Sequence, residues 1–107
     1  MADQIIIRMS IGENGELQQD PHPARVNPND SVVWIAEDGK LTVDFPEGGN
    51  PFVGSGSFSA EKRMATAPGR VRPDVPSPKK FVCTVKIGDR IFEKASGVDT
   101  PGSGRMS

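Results

Sequence analysis

The chain has 107 residues, among them 12 glycines, 10 prolines, one cysteine and one histidine, with a formal net charge of -1. That length makes one domain, able to hide roughly 65% of the surface its unfolded form exposes. One cysteine excludes an internal disulfide, one Cys with one His excludes a thiolate zinc cluster, and no apolar run approaches the ~20 residues that span a bilayer.

The first element is a strand over Asp3 to Ile11. Ile5, Ile7, Met9 and Ile11 share one face, and Ile6, Arg8 and Ser10 the other. Gly12-Glu13-Asn14-Gly15 is a turn, and Glu16 to Gln19 a short strand. Pro21, His22 and Pro23 break regularity, leaving Ala24-Arg25-Val26 as a brief edge strand between prolines. Asn27-Pro28-Asn29-Asp30 is a strong turn signal.

Ser31 to Phe45 then reads as a hairpin, two strands joined by an Asp-Gly turn. Val32, Trp34 and Ala36 lie on one face of the first strand and Val33 and Ile35 on the other, so that strand is central. In the second, Leu41, Val43 and Phe45 point inward while Thr42 and Asp44 meet water. Pro46 to Gly56 is a loop in which Phe52 folds back to plug one end of the core. Ser57 to Met64 fits a short helix or a strand equally well. Ala67 to Pro78, with four prolines, is an extended connection. Phe81, Cys83, Val85 and Ile87 alternate with Lys80, Val82, Thr84 and Lys86, and Gly88-Asp89 makes a two-residue hairpin turn that sets Val85 opposite Phe92. About seven short strands with regular turn signals predict an all-β sandwich over residues 1–95. A flexible tail is expected over 96–107.

The order of these pieces resembles the cupredoxin family. Asn29-Asp30-Ser31-Val32-Val33-Trp34 is similar to the turn and V-x-W strand of that family. Leu41-Thr42-Val43-Asp44-Phe45 is similar to its H-x-V-x-F strand, and Lys80-Phe81-Val82-Cys83-Thr84-Val85 to the aromatic strand before its metal loop. Asp99-Thr100-Pro101-Gly102 is loosely similar to the ending of some copper-free relatives. The resemblance covers most of residues 24–102 and implies a Greek-key β-sandwich. It does not carry over the copper site, which needs two imidazoles and a thiolate with a weak axial ligand. The family's first His falls on Leu41, its Cys near Val85, and Ile87-Gly88-Asp89-Arg90 supplies neither the second His nor the Met. No cofactor or metal is therefore expected.

Other chemistry is thin. Cys83 alternates with inward residues and reads as a small buried hydrophobe. His22 reads as a solvated loop residue, and Glu37 with Asp38 as solvated turn acids. The glycine-rich Gly48-Gly49-Asn50 and Gly54-Ser55-Gly56 lack the Lys-Ser/Thr of a phosphate loop. The charge is segregated: residues 1–60 carry three basic and nine acidic side chains, residues 61–94 nine basic and four acidic.

These readings point to a non-catalytic module that binds another protein through its end loops or a sheet edge. The contact residues are Arg63, Arg70 and Arg72 as a basic rim, with Phe52. Homo-oligomerisation by edge pairing is a related possibility, no membrane contact is expected, and a cytoplasmic setting is the expectation if Met1 is the native start, since no basic n-region follows it. Two alternatives stand beside this. One is a metal or electron-transfer protein with an atypical site built on His22 and Cys83, tested by metal analysis. The other is a binder of acidic ligands or nucleic acid through the basic 62–80 segment. Nucleic acid is the weaker form of it, since stacking platforms are missing: there is no Tyr, and each Phe has a core role.

Overall fold

In a computed structural model, which describes residues 3–21 and 24–100, the chain is all-β, with no helix among the described residues. Eight strands are formed among the described residues: β1 Gln4–Ile11, β2 Leu17–Asp20, β3 Ser31–Ala36, β4 Leu41–Asp44, β5 Ser57–Ala60, β6 Gly69–Arg70, β7 Lys79–Ile87 and β8 Arg90–Thr100. They make two four-stranded sheets, ordered β2-β1-β3-β6 and β5-β4-β7-β8. All pairs are antiparallel except β1 with β3, which run parallel with Ile7 beside Trp34.

The alternation read from the sequence sets what lies between the sheets. Ile7, Met9, Val32, Trp34, Leu41, Val43, Val85 and Ile87 are buried, while Thr42 and Asp44 stay half-buried on the outer side. Burying a side chain of this size contributes about 1.5–3 kcal/mol, so the period-2 pattern fixes register: a slip of one residue would turn each inner face outward. Asp30 organises the turn before β3. Its carboxylate, nearly fully buried, accepts from the backbone N–H of Asp3 at 2.9 Å and of Asn27 at 2.9 Å.

Two expectations are corrected. Ser31 to Phe45 is not a hairpin. β3 and β4 belong to different sheets, and Glu37–Lys40 is the corner between them. A two-residue hairpin on Asp-Gly needs left-handed backbone at both central positions, and Gly39 does not adopt it. What Gly39 provides is closeness: a Cβ there would lie 3.0 Å from the Gly88 backbone nitrogen in the β7–β8 turn. The second correction concerns the tail. β8 continues past Ala95 to Thr100, because Lys79↔Thr100, Lys80↔Asp99 and Phe81↔Val98 extend its pairing with β7, and Val98 is fully buried. Residues 101–107 lie outside the described residues, as does His22.

The segment left open between helix and strand forms β5 and then a turn. The edge strand read at Ala24–Val26 is a single parallel bridge, Arg25↔Asp99, flanked by bonds from Val26 N–H to the Asp99 carbonyl (2.9 Å) and from Asp99 N–H to the Ala24 carbonyl (2.8 Å). It straps the first sheet to the edge of the second.

Candidate functional site: two seams and a loop pocket

A sandwich has two seams where sheet edges meet. At one, β6 and β5 close over aromatic rings. Trp34 lies 4.8 Å from Phe58 and 5.6 Å from Phe52 between centroids, and Phe52 lies 5.3 Å from Phe45. Phe52 is 1% exposed. The loop Phe thus plugs the core as its sequence context implies, and its ring has no face left for a partner.

At the other seam, β2 and β8 do not meet. Between them lies an open cleft of about 830 Å³. Met9, Leu17, Phe92 and Ala95 supply its apolar surface, and Arg8, Gln18, Gln19, Asp20, Glu37 and Glu93 its polar surface. Across one end the Gln19 amide reaches over to donate to the Gly97 carbonyl at 3.4 Å, leaving its own Oε1 buried without a partner. β8 is irregular here. Cys83 pairs with Ala95 and Val85 with Phe92, so Thr84 alone faces Glu93 and Lys94, and Lys94 takes a left-handed φ of 58°. This is a β-bulge, which bends an edge and limits how long a strand can be added to it.

The three arginines do not form one rim. Arg63 donates its backbone N–H to the Ala36 carbonyl at the far end of β3, and its side chain faces Glu37 at 3.9 Å. Arg70 pairs with Ser31 at the start of β3 and donates to Asn29 Oδ1 at 3.1 Å. Five residue steps along a strand separate these points by roughly 17 Å. Spacing in sequence placed them together; the antiparallel return of the chain along β3 takes them apart. Arg72 enters a separate pocket of about 380 Å³ with Glu47, Gly48, Asn50, Phe52 and Gly54.

Leu41 and Val85, two of the positions the resemblance would give to copper ligands, are apolar and each 0% exposed. Cys83 is buried, and burial, aided by the nearby Asp44 carboxylate, pushes its thiol up to about 12. A thiol so placed is protonated at neutral pH and a poor nucleophile or ligand. Among the described residues no group of three His, Cys, Asp or Glu side chains is placed to hold a metal ion. The Ser57 hydroxyl donates to the Asp44 carboxylate.

Scans against protein-family models and against curated proteins return no match to this chain. The seam residues escaped sequence reasoning because nothing periodic marks two edges that face each other without pairing. The available signal was β2 itself, Leu-Gln-Gln-Asp, too short and polar to seal an edge.

Proposed function

We propose that this domain is a non-catalytic binding module on a Greek-key, cupredoxin-like sandwich without the family's copper site, and that it takes an extended segment of another protein along the open seam between β2 and β8. The observation that carries this reading is the seam itself: a cleft lined in part by apolar side chains, between two strands that are each the edge of a sheet. Its charge gives the segment a character. Asp20, Glu37 and Glu93 outnumber Arg8 along the walls, which favours a segment alternating basic and apolar residues. The non-catalytic part rests on the buried Cys83, a thiol held protonated and so unable to act as a nucleophile at neutral pH. A cytoplasmic setting accords with a lone cysteine kept as a thiol.

The test is an NMR titration with a capped Lys-Val-Lys-Val-Lys-Val peptide and its Glu-Val counterpart. Saturable shifts over Leu17–Asp20 and Arg90–Ala95 are expected with the basic peptide alone, and Leu17→Glu should abolish them. Equal response to both peptides, or none, would remove the reading. Concentration-dependent self-association that shifts the same residues would replace the partner protein by a second copy of the chain.

A further inference from the structure

The Arg72 pocket is independent of the seam and has a feature the seam lacks: a half-buried arginine whose Nε has no partner. Arg72 Nε is shielded from solvent and makes no hydrogen bond. The ion pairs among the described residues are Lys40–Glu61 and Arg63–Glu37, and Arg72 is in neither. Its backbone is fixed, donating to the Pro51 carbonyl at 2.9 Å and accepting from the Val75 N–H at 3.2 Å. Native proteins pair their buried polar groups, and a charged donor left alone is among the more costly exceptions.

The surrounding loop is set in advance. The Asn50 side chain accepts from Phe52 N–H at 2.9 Å and donates to the Gly54 carbonyl at 2.8 Å, cross-linking Pro46–Gly56 from inside. Gly48 and Gly54 both have left-handed backbone, at φ 87° and 81°, and no atom lies within 4 Å of where a Cβ would stand. Gly48 and Gly54 therefore present bare peptide, and both line the cavity together with Glu47, Asn50, Phe52 and Arg72.

We propose that this pocket is a carboxylate-binding site, with Arg72 holding the two oxygens of a small acid or of a carboxyl group presented by a partner. The guanidinium fork matches a planar carboxylate in two parallel bonds. Glu47 in the same lining sets the charge limit: it repels a phosphate dianion more strongly than a carboxylate with one charge.

The experiment is a titration of the full chain with sodium acetate and, separately, inorganic phosphate, at constant ionic strength made up with chloride. Shifts are followed by ¹⁵N NMR at the Arg72 side-chain N–H and the Gly48 and Gly54 amides. Acetate should give saturable shifts confined to these groups. Arg72→Gln should weaken binding about tenfold or more. Arg72→Lys, which keeps the charge and loses the fork, should fall between, and Glu47→Gln should tighten it. Spectra of the free variants establish that each is folded. Shifts that rise linearly without saturation, or that persist in folded Arg72→Gln, overturn the site. Tighter binding of phosphate than of acetate overturns the carboxylate assignment.

Discussion

The two seams of this sandwich are built from the same kind of strand edge and end differently. At the β5–β6 seam, three phenylalanines and the tryptophan fill the gap between sheets, and Gly69 lets the strand come down on them: a Cβ there would lie 2.6 Å from Phe58 Cζ. At the β2–β8 seam, a single ring, Phe92, with Met9, Leu17 and Ala95 meets glutamines and carboxylates, and about 830 Å³ stays open. Closure thus depends on ring volume and backbone approach. A seam filled by rings serves stability, and one left open is free to serve recognition.

Substitutions can break this contrast. Phe52→Ala should be the most damaging, at about 3–5 kcal/mol, a large share of the ~5–15 kcal/mol that holds a domain together. The urea midpoint measures it, and a loss below 1 kcal/mol would mean the ring does not seal the seam. Gly69→Ala should cost about 1–3 kcal/mol, because the new methyl meets the Phe58 and Phe52 rings. On the open side, Leu17→Gln should change stability by less than about 1 kcal/mol while removing binding of the basic peptide. Arg63→Ala should be smallest of all, within about 0.5 kcal/mol, since its ion pair with Glu37 is exposed.

Alkaline titration sharpens the comparison from the open side, where Cys83 stands opposite the cleft residue Ala95. Its thiol is raised from an ordinary 9.0 to about 12 in the folded state. The folded protein therefore holds the proton longer than the unfolded chain, and stability is unaffected below pH 9 and falls between pH 9 and about 12. Cys83→Ala should flatten the wild-type slope in that window. Matching slopes would mean that water reaches the thiol in the folded protein.

Much of the fold was legible because alternation is a local signal that burial enforces. Ile7, Trp34, Leu41, Val43 and Val85 went where their spacing sent them, and Gly88-Asp89 set Val85 against Phe92 as expected. What was not legible depended on contacts between distant segments. Asp38-Gly39 has the composition of a hairpin turn and serves as a corner, because the β7–β8 turn presses against it. Likewise Arg63, Arg70 and Arg72 are near neighbours in sequence and point to three different surroundings. The candidate sites were the least legible part, since a cleft between unpaired edges and an unpartnered Nε leave no periodic trace.

The strap formed by Ala24–Val26 has a kinetic consequence. Its hydrogen bonds are to Asp99, more than seventy residues later in the chain. Closing so long a loop costs chain entropy before any contact repays it, and β-rich domains of high contact order fold in milliseconds to seconds. During synthesis the early strands must wait with one edge unhooked until β8 has emerged. A chain cut at residue 95 loses both bonds of the strap and the last part of the β7–β8 pairing.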